Sequence, residues 1–281
     1  MSYLPQHRIM TVSEFGIQLR HVEPPQNGEA PAYYHQDDYY IIGLLNNGTC
    51  RISIDFKEYT FSKGDIVIIY PKQIHNIMRA DDAEGWLLFV DSSIIEKEEK
   101  YILDKLLLFT PSVKIDEKRN NELNHIALII IDRIHNINNN QIKTTVKMLT
   151  KTFISIIAES IISEKLQHEH CNSRHIEMTL NFCNLVKNDV IIHRSPSYYA
   201  KKLNISSGYL NEIIKGTLGT NTSSYIKNEL ILQTKRLLAH TNLTVKEISS
   251  LLGMDDHAYF SRLFSRMTGV SPSLFRQKNL E

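Results

Sequence analysis

Cysteine is scarce in this chain of 281 residues: Cys50, Cys171 and Cys183 stand at no paired spacing, which excludes a disulfide-stapled scaffold. No apolar stretch approaches the roughly 18 uninterrupted residues of a membrane-crossing helix, and no charged-then-apolar leader opens the sequence. A reduced, cytoplasmic setting with no membrane partner is the expectation. A net charge of one sign is missing too, since 32 Lys+Arg face 31 Asp+Glu for a formal +1. That balance is uneven along the chain. Residues 190–281 carry 12 Lys+Arg against 6 Asp+Glu, a net +6, which leaves 20 against 25, a net −5, for the rest. A basic C-terminal part suits a nucleic-acid partner, and an acidic N-terminal part does not.

At 42% hydrophobic and 22% charged, the chain can build two domains with real cores. Its most informative stretch is residues 197–275, where one short pattern occurs twice. Ala200, Leu203 and Ile205, then Tyr209-Leu210, Ile213-Ile214, Gly219 and Tyr225, are answered by Ser249, Leu252 and Met254, then Tyr259-Phe260, Leu263-Phe264, Gly269 and Phe275. The offset is 49 residues for the first three landmarks and 50 for the others, so the second copy holds one extra residue in its turn. Each copy reads as a helix-turn-helix: a small residue lets two helices cross closely, Ile205 or Met254 plugs the turn, and the second helix shows one apolar face at i, i+1, i+4 and i+5. In copy two that face is expected to be Tyr259, Phe260, Leu263 and Phe264.

The opposite faces are polar, with Gly208, Asn211, Glu212 and Lys215 in copy one and His257, Ala258, Ser261, Arg262, Ser265 and Arg266 in copy two. Hydrogen-bonding side chains on a helix backed by another helix suit the major groove of double-stranded DNA. Base edges are expected to meet Gly208, Asn211, Glu212, His257, Ala258, Ser261 and Arg262, with Arg262 the guanine reader. Phosphates are expected to meet Lys201, Lys202, Lys215, Lys227, Arg266 and Arg276. Between the copies, residues 222–240 contain neither Gly nor Pro and read as one helix. At ~1.5 Å per residue that rod is roughly 28 Å long, close to the ~34 Å between successive major-groove faces on one side of B-DNA. Thr244-x-x-Glu247 has capping-box spacing, Gly269 fits a helix C-terminus and Ser271-Pro272 fits a helix start.

Residues 176–278 closely resemble the DNA-binding domain of the AraC/XylS family of bacterial transcription regulators. The stretches Leu243 to Met254, Ala258 to Phe264 and Thr268 to Pro272 carry the likeness best. The resemblance implies sequence-specific binding to promoter or operator DNA, usually with activation of transcription, and RNA polymerase as a further partner. The chain departs from the family pattern at Ile214 and Leu218, where Phe and Thr are usual, at Gly216, where a basic residue is common, and at Glu212, which often corresponds to Arg. Glu accepts a hydrogen bond from cytosine N4, so Glu212 is a candidate cytosine reader, the alternative being a solvated acid that lowers non-specific affinity.

Residues 9–90 have a different texture, short apolar runs broken by turn signals, with Asn47-Gly48 reading as a hairpin between two of them. Such spacing predicts a small antiparallel barrel. Gly64 to His75 resembles the second half of a cupin motif, as in the sensor half of many AraC-type regulators. A catalytic cupin brings two His and a Glu from its first motif and a His from its second. Here His35 stands alone in the first, with Tyr33 where a partner His belongs and Tyr39, Tyr40 and Ile41 where the Glu belongs, so neither a metal nor any other cofactor is expected and the chain is not read as an enzyme. Tyr33, Tyr34, His35, Tyr39, Tyr40, His75 and Trp86 are instead expected to line a pocket for a small-molecule effector, a carbohydrate in first place and a fatty acid in second.

Residues 94–108, 119–135 and 141–166 read as helices with more apolar surface than one barrel face covers, which points to a homodimer. His168, His170, Cys171 and His175 lie in or beside a polar stretch read as an interdomain joint. The expected fold is therefore α+β: an N-terminal antiparallel cupin-like β-barrel with helices over residues 1–170, then an all-α DNA-binding domain over 171–281, with helix-turn-helix motifs at about 197–215 and 245–267 joined by a linker helix. A cupin enzyme with a DNA tether, and a regulator whose N-terminal domain binds a protein, are the other readings.

Overall fold

The computed structural model describes residues 6–9, 13–24, 34–137, 139–165 and 173–280. Two compact units emerge, residues 5–169 and residues 170–281. Among the described residues no helix is long and apolar enough to cross a membrane.

The first unit is built on two long bent strands, β4 (Tyr40–Ile54) and β7 (His75–Val90), which pair antiparallel along almost their whole length. Around them the sheet runs β2 (Ile17–Val22), β7, β4, β6 (Asp65–Ile69), β8 (Ser112–Lys114), with β5 (Lys57–Ser62) also on β4. A short parallel pair, β1 (Gln6–His7) with β3 (Gln36–Asp37), completes the strands.

Asn47-Gly48 is not a hairpin. The chain runs straight through it as a bulge in β4, with register shifts against β7 on both sides. The side chains record the slip: Tyr39, Ile41 and Leu45 face the sheet interior at odd positions, whereas Cys50, Ile52 and Ile54 do so at even ones. One inserted residue flips alternation, and the bend it produces curls the sheet over its own inner face. Gly48, at φ 72°, is needed there because a Cβ would lie 2.2 Å from the Asp82 carbonyl oxygen. The hairpin comes at Asp55-Phe56 instead, both residues left-handed with φ 49° and 64°. The Asp55 carboxylate holds that turn by accepting from Gln73 Nε2 at 3.0 Å and from Ile74 N–H at 3.3 Å.

Strand β6, Asp-Ile-Val-Ile-Ile, is apolar after its first residue because both its faces are buried there. Val67 and Ile69 join Tyr39, Ile41, Ile52, Ile54 and Phe61 in the sheet interior. Ile66 and Ile68 turn outward with Ile42, Leu44, Trp86 and Leu88 to meet helices α1 (Lys97–Leu107), α2 (Glu117–His135) and α3 (Asn140–Lys165), through Leu103, Leu123, Ile130, Phe153 and Ile157. Each such fully buried aliphatic side chain contributes about 1.5–3 kcal/mol, so the three helices are held by this layer.

The second unit is all α: α4 (Ser173–Asp189), α5 (Pro196–Lys202), α6 (Ser207–Leu218), α7 (Thr222–His240), α8 (Val245–Leu251), α9 (His257–Thr268) and α10 (Pro272–Leu280). Helix α7 is continuous over the residues expected of the linker helix and packs on elements of both copies of the repeat.

Candidate DNA interface and ligand site

The two helix-turn-helix copies are built by the same bonds. In the first turn Ile205 N–H donates to the Ala200 carbonyl at 3.0 Å, and in the second Met254 N–H donates to Ser249 at 2.9 Å. Each turn reverses through one left-handed residue, Asn204 at φ 54° and Gly253 at φ 66°. Helices α6 and α9 then start on side-chain caps, Ser206 Oγ accepting from Tyr209 N–H at 3.1 Å and Asp256 Oδ1 from Tyr259 N–H at 2.8 Å. Both end on a left-handed glycine, Gly219 or Gly269. The turn bonds keep the 49-residue offset and the caps take up 50, which makes Asp255 the extra residue. Ser249 adds what Ala200 cannot, a buried hydroxyl donating to the Met254 carbonyl at 2.5 Å.

Behind α6 lie Leu210, Ile213, Ile214 and Thr217, and behind α9 lie Phe260, Leu263 and Phe264, all buried. Tyr259 departs from its expected place in that apolar face, since 51% of it is exposed. Its counterpart Tyr209 is half-buried because its ring meets His175 edge-on, with centroids 6.0 Å apart, and His175 belongs to α4, which has no place in the repeat.

The outward faces carry Gly208, Asn211, Glu212, Lys215, Ala258, Arg262 and Arg266 exposed, with His257 and Ser261 half-buried. Two of the expected DNA contacts are already engaged within the protein. Asn211 Oδ1 accepts from Thr222 N–H, at the first turn of α7, at 3.1 Å. Only its amide NH2 is left to face a base, which removes the two-bond reading of adenine that needs both ends. Arg276 is a correction. Its Nε donates to the Leu238 carbonyl at 3.0 Å and its Nη2 to Leu243 at 2.6 Å, so it staples α10 to the end of α7 instead of standing ready for a phosphate. Burial pulls its guanidinium below the usual arginine range. Lys201, Lys202, Lys215 and Lys227 remain exposed, Lys202 with its Nζ 5.6 Å above the Tyr198 ring.

A second arginine that sequence reasoning missed ties the copies together. Arg194, just ahead of α5, donates to the Leu252 carbonyl inside the turn of copy two and to Ile191 O at 3.0 Å. Burial lowers its pKa too. Only an arginine lying before the first copy and not repeated before the second hints at it in the sequence.

In the first unit the expected effector residues divide between the two faces of the sheet. Tyr33 lies outside the described residues. Tyr39 faces the interior, edge-on to Phe89 at 5.8 Å, and Tyr34 lies 5.9 Å from Phe56 with its hydroxyl 3.4 Å from Ser53 Oγ. His35 and His75 stand 4.1 Å apart, centroid to centroid. Tyr40 and Trp86 belong to the opposite layer under the helices, Tyr40 against Tyr70 at 5.2 Å and Trp86 Nε1 donating to Asn124 Oδ1 at 2.8 Å. Consecutive residues of a strand cannot both face one pocket, so Tyr39 and Tyr40 were bound to separate. Asp37, which sequence reasoning passed over, lies beside His35 and His75. A separate groove of about 890 Å³ runs along β2 beside the α2–α3 connection, lined by Phe15, Leu19, Ile131 and Ile134 with Arg20 and Lys143.

Residues 199–278 match a family described as a helix-turn-helix domain, and residues 26–90 match one described as an AraC-like ligand binding domain. The chain is 25% identical to the arabinose operon regulatory protein of Salmonella typhimurium, over 84% of this chain and 83% of that one. It is 26% identical to the Msm operon regulatory protein of Streptococcus mutans, over 86% and 85%. Among solved structures, ToxT from Vibrio cholerae aligns over 93% of this chain and 98% of its own at 14% identity and a TM-score of 0.47.

Proposed function

The chain belongs to the AraC/XylS family of transcription regulators, and from that premise we propose that it activates transcription by setting α6 and α9 into successive major grooves of promoter DNA, under the control of a carbohydrate-like small molecule held by the N-terminal unit. The observation that supports this reading most is the doubled motif: two copies with the same turn bonds and the same caps, joined by the unbroken α7. A rigid spacer of roughly 28 Å comes within about 6 Å of the distance between groove faces. One chain then reads two grooves, Arg262 and Glu212 occupying equivalent outward positions on the two reading helices.

A sugar is favoured as effector because a relative matched over most of its length regulates an arabinose operon. The inner-face aromatics Tyr39, Tyr59, Phe61 and Phe89 agree with that choice, since flat rings stack on sugar C–H surfaces. The effector acts by differing in affinity for DNA-competent and incompetent arrangements of the protein. Leu128, Ile129, Met148 and Ile162, all exposed on α2 and α3, support a homodimer formed through those helices. RNA polymerase is the remaining partner, and a cytoplasmic location follows from the DNA target. A thermal-shift screen of sugars and fatty acids on the whole protein tests the effector: a sugar that raises the melting temperature and increases promoter output supports the proposal. A fatty acid doing so in its place, or no response to either, would refute the sugar assignment.

A further inference from the structure

Away from the DNA-facing unit, three side chains of metal-ligand type converge where β3 meets the start of β7. His35 and His75 are joined by a two-way backbone bridge, His35 N–H to the His75 carbonyl at 3.1 Å and the reverse at 2.9 Å, so strand pairing fixes their separation. Asp37 returns to the same face as His35 because alternate residues of a strand share a side. Its Oδ2 lies 3.3 Å from His75 Nε2 and 3.9 Å from His35 Nε2. The side chains of Asp37 and His75 are 3% and 4% exposed, while that of His35, at 18%, leaves a way in from solvent.

We propose that His35, Asp37 and His75 bind one divalent first-row transition-metal ion, with Zn²⁺ as its representative, through the two imidazole Nε2 atoms and a carboxylate oxygen. Two nitrogens and one hard oxygen are the donor set such ions take in proteins. A tetrahedral ion with bonds of about 2.0–2.2 Å holds its ligand atoms about 3.3–3.5 Å apart. The His75–Asp37 pair is already at that spacing, His35 has to close on Asp37 by roughly half an ångström, and all three ligand atoms lie within 4.8 Å of one another.

The tautomer agrees. His75 Nδ1 lies 3.2 Å from the Gln73 carbonyl, which can only accept, so the Nδ1 proton is committed there and Nε2 is the atom presented to Asp37. Three protein ligands leave coordination positions open to water or to an oxygen of an effector. The proposal does not depend on which effector the protein binds.

Isothermal titration of the full-length, chelator-stripped protein with Zn²⁺ tests the site. One Zn²⁺ per chain is expected, with a raised melting temperature and, for Co²⁺, a visible absorption band. His35→Asn and Asp37→Asn should each weaken binding at least ~100-fold, above the ~10–100-fold cost of losing a group that only orients a ligand. His35→Asn, at the more exposed position, keeps the test valid should Asp37→Asn fail to fold. A His168→Asn/His170→Asn variant should bind as the parent does. No stoichiometric binding, or binding kept by His35→Asn and lost in the His168/His170 variant, would overturn the site.

Discussion

Arg262 is exposed on the outward face of α9 with a backbone held firmly behind it by Phe260, Leu263 and Phe264. Truncating it to Ala should cost ~1–3 kcal/mol at one base position of the operator, measured as the affinity ratio between operators that differ only there. An equal loss on every DNA sequence would place it on the backbone instead. Arg266 and Arg276 should behave differently from one another, although the sequence makes them look alike. Arg266→Ala should lower the slope of log affinity against log salt by about one. Arg276→Ala should leave that slope unchanged and destabilise the protein by about 1–3 kcal/mol, because the Leu238 and Leu243 carbonyls lose their donor. Denaturant titration alongside the salt series separates the two. The outward residues of α6 and α9 were legible from spacing alone, since a helix period leaves few choices of face. The arginines were not, because a long side chain's partner is set by what happens to lie within its reach. Arg194 reaches a turn 58 residues away, and no local pattern encodes that.

At the scale of elements, the repeat was legible because its signals are local: a small residue, a plug, a cap and a glycine at fixed offsets. Its structural basis is equally local, and removing one cap should show it. Asp256→Ala should destabilise the protein by about 1 kcal/mol, read as a lower denaturant midpoint with helix content otherwise kept. Sheet details were less legible. Asn47-Gly48 carries the composition of a tight turn, yet the same left-handed glycine serves a bulge equally well, and only the partner strand β7 decides between them. The expected pocket residues of the first unit divide between the two faces of the sheet for a related reason. Aromatic composition located the strands, whereas the face each ring occupies follows from register, which the bulge shifts by one. Asp37 lies outside the cupin pattern, which expects a Glu where Tyr39, Tyr40 and Ile41 stand, and β3 places this carboxylate two residues after His35 instead.

For the molecule as a whole, α7 is the element that, in the proposed function, joins two small motifs into one reader of DNA. Adding one residue to its middle would turn one copy by about 100° relative to the other and shift it ~1.5 Å along the axis, so the parent operator should no longer engage both helices. The exposed apolar residues of α2 and α3 belong to this scale too: Leu128→Glu with Ile129→Lys should convert a dimer to a monomer in sedimentation while leaving the Zn²⁺ and sugar responses of each chain in place. The most direct test is hydroxyl-radical footprinting of the whole protein on its operator, compared with the Arg262→Ala and Glu212→Gln variants. Two protected patches per chain are expected on one face of the duplex about 10 base pairs apart, with each variant changing base preference in a different patch. A single patch per chain, or both variants altering the same one, would contradict the joining of two groove-reading helices by α7.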